Sequence, residues 1–178
     1  MKKRLYLDID GVLNSTKGDK VAKVKFPEEW ELTMSANWLP HKNLFHKFWD
    51  EEAVASLKLI LEETKPEIYI HSTWKRHFEL DQFREFFEHW GLDSSLIIDI
   101  VPQYKFSSER CHNLSWHIKG ERLGEDDTEP CECFVILDDY DMTNIDYEGS
   151  PFKKQVVTNE ALGLTKEDAS KAIEILMR

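Results

Sequence analysis

Short apolar runs recur along the chain at the length expected of buried β-strands. They cover residues 4–8, 67–71, 96–101, 134–137 and 155–157. Each run ends at, or just before, a carboxylate, a hydroxyl residue or a proline, and such residues commonly mark the end of a strand. Strands buried on both faces of a parallel sheet have nearly continuous apolar sequences. The five runs therefore predict five strands of one sheet.

Between these runs, apolar residues recur at the spacing of amphipathic helices. The pattern predicts helices over residues 50–63 and 80–90, and a last helix that begins at Thr165. A further helix is expected near residues 108–119. Asp50 and Thr165 are suited to accept hydrogen bonds from the first backbone N–H groups of the helices they precede. Strands that alternate with helices predict an α/β fold: a doubly wound, mainly parallel five-stranded sheet with helices on both faces.

Residues 15–49 fit neither pattern. The segment mixes lysines with scattered aromatic residues and has no clear helical or strand period. We interpret it as a loop, a flap or a minimal cap within a single domain that spans residues 1–178. Its lysines, between Lys17 and Lys25, could lie over an active site, although a solvated loop is the more common explanation.

The composition is that of a globular domain. The chain has 178 residues, of which 41% are hydrophobic and 32% charged, a balance typical of soluble proteins. No apolar stretch approaches the roughly 20 residues needed to cross a bilayer. The basic first residues are not followed by the apolar core of a signal peptide. We therefore expect a cytoplasmic protein without membrane association; the sequence does not indicate an oligomeric state.

The formal net charge of −11 bears on the kind of partner. An acidic body argues against a broad basic face for nucleic acid. A locally basic site could still bind the end of a polynucleotide. The acidic balance also fits an enzyme that uses a divalent cation.

The first candidate motif follows the first predicted strand. Asp8 and Asp10 are two residues apart and are followed by Gly11. Asp8 could hold a Mg²⁺ ion with one oxygen and attack phosphorus with the other. Asp10 could protonate the leaving group and then activate water, while Gly11 allows close approach of the backbone to the substrate. Taken alone, a strand end followed by an Asx turn explains the same residues.

The second acidic pair, Asp138 and Asp139, follows the fully apolar fourth run. Adjacent acids at the end of a buried strand repel each other unless a cation or hydrogen bonds compensate. Because the carboxyl ends of parallel strands share one edge of the sheet, we expect both acids to meet Asp8 and Asp10 there. Asp8, Asp10, Asp138 and Asp139 are therefore the candidate Mg²⁺ ligands, and two solvent-facing acids at a helix start are the alternative.

Hydroxyl and basic residues follow the second run. Ser72 and Thr73 could donate to phosphoryl oxygens, and Lys75 and Arg76 could bind a phosphate or a polar part of the substrate. Ser and Thr are also ordinary helix caps, which is the more common explanation for this motif alone.

A further positive charge is needed to offset a phosphorylated Asp8. The candidates are Lys105 and Arg110, which lie between the third run and the next predicted helix. Their spacing does not choose between them, and solvated surface charges are the alternative.

In this order, the motifs resemble those of the haloacid dehalogenase (HAD) superfamily. Residues 8–12 resemble its first motif, Ser72 its second, Arg110 or Lys105 its third, and residues 138–139 its fourth. The resemblance implies a Rossmann-like sheet and, as in most members, a Mg²⁺-dependent phosphatase.

A closer resemblance is to the HAD domain of Swiss Army Knife RNA-repair proteins. It rests on the D-x-D-G-V-L start, the serine turn with Trp and a basic residue at 72–76, the V-I-L-D-D strand at 135–139 and the late G-L-T turn at 163–165. These proteins also have an arginine at the start of the helix before the fourth strand. The resemblance therefore favours Arg110 over Lys105 as the third motif, although the wider superfamily more often uses lysine there.

The resemblance implies hydrolysis of phosphate monoesters through an aspartyl-phosphate on Asp8. True dehalogenases lack an acid at the position of Asp10, and transport ATPases carry Lys-Thr-Gly-Thr after the nucleophile. This sequence has neither pattern. The short segment before the helix at residue 50 implies an open site without a large cap, which would admit a polynucleotide end or a phosphoprotein. Two alternatives stay open: a repair enzyme that processes 3′- or 5′-phosphate ends of RNA or DNA, and a HAD-fold binding or regulatory module without turnover.

Overall fold

The computed structural model describes residues 2–35, 39–102, 110–120, 131–145 and 150–178 of the chain.

Five strands form one sheet, and every pair of neighbours is parallel. The strands are β1 (Arg4–Leu7), β2 (Glu67–Ile70), β3 (Ile97–Ile100), β4 (Phe134–Asp138) and β5 (Gln155–Val157). Their order across the sheet is β3-β2-β1-β4-β5, which is a Rossmann-like arrangement. The predicted five-stranded sheet is confirmed, and it is wholly rather than mainly parallel.

The strand order determines where a site can form. From β1 the chain proceeds outwards through β2 and β3, and then returns to place β4 on the other side of β1. In such open sheets the ligand crevice lies beyond the carboxyl ends of the strands, at the point where the order reverses. Here that point lies between β1 and β4, the two strands that end in the predicted acidic motifs.

Helices connect the strands as the apolar spacing predicts. They are α3 (Glu51–Thr64), α4 (Leu80–His89), α5 (Arg110–Lys119) and α6 (Lys166–Met177). The side chains of Asp50 and Thr165 accept hydrogen bonds from the first turns of α3 and α6, as the sequence indicates. Among the described residues, no helix combines the length and the hydrophobicity required to cross a bilayer.

The segment before α3 is helical rather than irregular. It contains α1 (Thr16–Lys25), α2 (Pro27–Thr33) and a 3₁₀ stretch, Leu39–Phe48. Only two residues of α1, Gly18 and Ala22, are buried, so this helix has no apolar stripe that a periodicity search would find. These elements are short and pack on one another, and whether they close over the site as a minimal cap stays a prediction.

Alternate residues of each strand face opposite sides of the sheet, as the pleat requires. Leu5 and Leu7 of β1 pack in the core that also contains residues of α3, α4 and α6. Tyr6, between them, packs in a second core with Leu114 and Ile118 of α5. Helices thus cover both faces, and the carboxyl ends of the strands are the edge at which the polar motifs collect.

Candidate active site

Strand register brings three polar side chains into one row. Leu7, the last residue of β1, pairs with Leu137 of β4, so the next residues, Asp8 and Asp138, are neighbours. On the other side of β1, the residue that follows β2 is His71, whose backbone N–H donates to the carbonyl of Leu7 at 3.0 Å. Asp8, His71 and Asp138 are each at most 2% exposed, and carboxylates are rarely buried so completely.

Three carboxylates meet at this point. One oxygen from each of Asp8, Asp138 and Asp139 lies within 4.8 Å of the others, and Asp139 is half-buried whereas the other two are buried. Like charges at this distance in a buried setting repel each other strongly. A hard divalent cation with oxygen ligands relieves that repulsion, and Mg²⁺ prefers such ligands. The residues therefore fit a Mg²⁺ ion; Asp10 lies outside this group of three.

Hydrogen bonds orient the buried acids. Asp8 Oδ1 accepts from the backbone N–H of Ile9 at 2.8 Å, and Asp138 Oδ1 accepts from the backbone N–H of Tyr140 at 2.9 Å. His71 Nε2 lies 3.6 Å from Asp138 Oδ2. His71 is the last residue of the predicted strand 67–71. Its place beside Asp138 follows from the register of β2, β1 and β4, which the sequence alone does not reveal.

The turn after β1 approaches the acidic pair very closely. Gly11 has φ +68°, and a Cβ added there would lie 2.4 Å from Asp139 Cγ. The backbone N–H of Gly11 donates to the carbonyl of Asn14 at 2.7 Å, and its own carbonyl accepts from Thr158 Oγ1 at 2.8 Å. Only glycine combines this backbone conformation with this approach, which explains the residue after the second aspartate.

A second loop supports the same turn from the other side. Gly163, with φ +71°, lies so close to the carbonyl of Val12 that an added Cβ would be 2.9 Å from its oxygen. The backbone N–H of the next residue, Leu164, donates to that carbonyl at 2.8 Å. The late G-L-T turn thus fixes the loop that carries the first motif, and Thr165 at its end caps α6.

Asp10 is held by two side chains at the mouth of the site. Its Oδ1 accepts from Trp74 Nε1 at 3.0 Å and from Asn14 Nδ2 at 3.3 Å. Although the residue is open to solvent on one side, enough protein surrounds the carboxyl that desolvation raises its pKa. The hydrogen bond from Trp74 opposes this shift, and the charge of Asp8 adds to it.

Asp19, on α1, is a further acid near Asp10 that sequence analysis missed. Desolvation, with a smaller contribution from the charge of Asp10, raises the pKa of Asp19 to about 6. The sequence does not predict that Asp19 lies near Asp10, because its position depends on how α1 packs. Trp74 and Asn14 were missed as partners of Asp10 for a similar reason.

Ser72 and Thr73 begin the turn after β2. Ser72 is fully buried, and its Oγ accepts from the backbone N–H of Trp74 at 3.3 Å, which caps the 3₁₀ turn Thr73–Arg76. Thr73 is exposed. Ser72 therefore caps this turn, as the alternative explanation of the motif has it, and the same turn brings Trp74 to Asp10.

The predicted basic residues differ in their surroundings. Lys75 is half-buried, and its Nζ donates to the carbonyl of Val101, just after β3, at 2.8 Å. Arg76 is exposed and lines a cavity beside Asp10. Arg110 is the first residue of α5, but its side chain lies outside the described part of the chain, as does all of Lys105.

The cavity beside Asp10 has a volume of about 420 Å³. It is lined by Asp10, Asn14, Phe45, Thr73, Trp74, Arg76, His77 and Phe78. Another cavity of about 470 Å³ lies between α1, the 3₁₀ stretch Leu39–Phe48 and the start of α3. It contains none of the predicted site residues, so we place the candidate active site at the smaller cavity, which Asp10, Thr73 and Arg76 line.

A Rossmann-like sheet whose first and fourth strands end in these aspartates defines the class of HAD-type domains. The family model for the HAD domain in Swiss Army Knife RNA repair proteins matches residues 4–169, and the chain therefore belongs to that family. Membership places it among phosphatase-type hydrolase domains. Searches of curated proteins and of solved structures each found no match.

Proposed function

We propose that this protein is a Mg²⁺-dependent phosphomonoester hydrolase that forms an aspartyl-phosphate on Asp8. The observation that carries the proposal is the meeting of the Asp8, Asp138 and Asp139 carboxylates within 4.8 Å, at the point of the sheet where ligands bind. Family membership supports the class of reaction.

Asp8 is the nucleophile. A carboxylate oxygen forms a bond to phosphorus while the bond from phosphorus to the leaving-group oxygen breaks. Asp10 gives its proton to that oxygen and then takes a proton from the water that hydrolyses the aspartyl-phosphate. The raised pKa of Asp10 supports this role, because an acid that retains its proton more readily is the better proton donor.

Asp8, Asp138 and Asp139 would hold the Mg²⁺ ion. Asp10, which the sequence also predicts as a ligand, lies outside that group, and we assign it the acid and base role alone. When bound, the ion neutralises charge on the phosphoryl oxygens and on the carboxylates. His71, 3.6 Å from Asp138 Oδ2, helps to set the orientation of that ligand.

The remaining predicted residues would stabilise the transferred phosphoryl group. We assign a phosphoryl hydrogen bond to Ser72 and the balancing positive charge to Arg110, with Lys105 as the alternative. Thr73, Lys75, Arg76 and the backbone of Gly11 would bind the rest of the substrate. Each of these roles places a donor where negative charge develops.

The test is hydrolysis of an aryl phosphate with and without Mg²⁺ by the wild type, Asp8→Asn and Asp139→Asn. The proposal predicts Mg²⁺-dependent turnover that Asp8→Asn abolishes. It also predicts that Asp139→Asn raises the Mg²⁺ concentration needed for half-maximal rate. Binding of Mg²⁺ without turnover of any phosphate ester would instead favour a binding or regulatory module.

A second candidate narrows the substrate to the phosphorylated end of a polynucleotide. The description of the family as RNA repair proteins favours it. The net charge of −11 requires such a substrate to be bound by a local basic surface rather than by the whole protein.

A further inference from the structure

The cavity beside Asp10 lies where the proposed mechanism places the leaving group, and the inference drawn from it rests on that proposed function. Because Asp10 protonates the leaving-group oxygen, the rest of the leaving group must lie against the wall of this cavity. Its volume of about 420 Å³ is within the range of small-ligand sites. The composition of the wall therefore indicates which leaving group the site accepts.

Three aromatic rings form the apolar part of the wall. Phe45, Trp74 and Phe78 all line the cavity. The centroid of the Trp74 ring lies 5.9 Å from that of Phe45 and 5.3 Å from that of Phe78. Since the rings pack on one another, their positions are held without a ligand. Preorganised aromatic surfaces of this kind favour flat, stackable groups such as nucleobases.

Among the polar lining residues Arg76 carries a positive charge, and Lys42, which does not line the cavity, lies next to it. Arg76 is exposed and makes no ion pair with any other residue that the structure describes, so its guanidinium can pair with an incoming anion. Lys42 donates a hydrogen bond to the carbonyl of His77, another lining residue. Its Nζ also lies 5.3 Å from the centroid of the Phe78 ring. Asp10 is the one acid among the lining residues.

We propose that this cavity binds the terminal nucleoside of a phosphorylated polynucleotide end. The base lies against Phe45, the half-buried ring of the wall, which the buried rings of Trp74 and Phe78 hold in place. Arg76 pairs with the first phosphodiester group beyond the terminal nucleoside. A small sugar phosphate would leave the aromatic wall uncovered. A phosphopeptide offers no second phosphate for Arg76. Nucleic acid would then be bound only at this cavity, so the net negative charge of the rest of the protein does not prevent binding.

The test compares dinucleotides that carry a terminal phosphate with the matching nucleoside monophosphates. Only the dinucleotides have a phosphodiester group, and 3′- and 5′-phosphates are assayed separately to identify the end. We expect kcat/KM for one dinucleotide to exceed that for its mononucleotide by about tenfold, the effect of one charged hydrogen-bonded contact. Arg76→Gln should remove most of that preference. An unchanged preference in Arg76→Gln would overturn the proposal.

Arg178→Gln is the matched control. Arg178 pairs with Glu174 on α6, and the adjacent Met177 Sδ lies 3.0 Å from Lys3 Nζ, just before β1. The control arginine is therefore at the amino-terminal edge of the sheet, opposite the site. Arg178→Gln removes the same charge from the protein as Arg76→Gln and should leave the dinucleotide preference intact. A loss of preference equal to that in Arg76→Gln would mean that net charge alone is responsible.

Binding to the Asp8→Asn protein separates this proposal from the proposed function. Isothermal titration with the phosphorylated dinucleotide in the presence of Mg²⁺ requires no turnover. We expect affinity to fall about tenfold when Arg76→Gln is added, and also when Phe45→Leu replaces the half-buried ring with an aliphatic side chain. If no ester is hydrolysed but these losses occur, the proposed function fails and the cavity assignment stands. Equal affinity in all variants, or tighter Arg76-dependent binding of a phosphopeptide, would refute the assignment.

Discussion

Single residues set the geometry of the acidic site, and Gly11 does so most directly. Its positive φ and the close approach of its backbone to Asp139 each favour glycine at this position. Asp8, Asp10, Asp138 and Asp139 could be identified from the sequence because acids at strand ends are conspicuous.

We expect Gly11→Ala to disrupt the cation site as well as to destabilise the fold. Gly91 provides the matched control, since it has φ +66° and nothing within 4 Å of an added Cβ. Gly91→Ala should cost only the left-handed backbone penalty, about 1–2 kcal/mol. Gly11→Ala should cost about 1–3 kcal/mol more from the clash with Asp139 and should weaken Mg²⁺ binding. Urea unfolding and Mg²⁺ titration measure both; indistinguishable behaviour of the two variants would contradict this account of the turn.

Trp74 positions Asp10 through the hydrogen bond from its indole Nε1 at 3.0 Å. Trp74→Phe keeps an aromatic ring in contact with Phe78 but removes the donor. We expect kcat to fall by about tenfold, the effect of losing one hydrogen bond to a charged group, with little change in Mg²⁺ affinity. The bond also lowers the pKa of Asp10, so the limb of the pH–rate profile that reports this group should move to higher pH. A lower kcat with an unmoved profile would indicate a packing defect instead.

The partners of the acids could not be predicted in the same way. The contacts of His71 with Asp138 and of Trp74 with Asp10 depend on strand register and on a 3₁₀ turn, neither of which leaves a periodic signal. The charged centre of the site was therefore predictable from the sequence, and the side chains that hold it were not.

At the scale of elements, the regular α/β core was predictable and the segment before α3 was not. Each strand of the sheet is a mainly apolar run, and α3, α4 and α6 have clear apolar faces. By contrast, α1 buries little more than small residues, and the 3₁₀ stretch Leu39–Phe48 has no long-range period. These elements are held by contacts made by individual side chains.

His46 is one of these contacts. Its ring stacks on Phe86 of α4 with 4.8 Å between centroids. Burial, followed by the nearby His89, lowers the pKa of His46 to about 4 from its ordinary 6.5. As the pH falls through 6.5, the unfolded chain gains a proton at His46 that the folded protein does not, so stability is lost down to about pH 4.

We therefore expect His46→Phe, which keeps a ring at this position, to lose less stability than the wild type between pH 6.5 and pH 4. The measurement is the melting temperature of both proteins across this range. Other titrating groups, including Asp19, whose shift acts in the opposite direction, are common to the two proteins and cancel in the difference. A constant difference at every pH would show that the burial of His46 does not affect stability in this way.

At the scale of the whole molecule, electrostatics links folding to the site. The chain carries a net charge of −11, and folding concentrates three carboxylates at one edge of the sheet. Their repulsion is an energetic cost of folding that a bound cation offsets.

We expect Mg²⁺ at about 100 times its dissociation constant to raise the melting temperature by roughly 5–10 °C. Asp8→Asn should remove most of this increase, and it should melt above the wild type when Mg²⁺ is absent, because one repelling charge is lost. Ca²⁺ and a monovalent salt at matched ionic strength are the controls. If monovalent salt reproduces the full increase, the effect is general screening rather than a specific site.

The central claim is that Asp8 becomes covalently phosphorylated, and mass spectrometry of the trapped enzyme tests it most directly. Asp10→Asn should allow attack on an aryl phosphate, whose leaving group needs little protonation, while slowing hydrolysis of the intermediate. After acid quench, the account predicts one phosphoryl group on the peptide that contains Asp8 in the presence of Mg²⁺, and none in Asp8→Asn. Mg²⁺-dependent turnover by the wild type, with no phosphoryl group on that peptide in Asp10→Asn, or with the group on another residue, would contradict the mechanism.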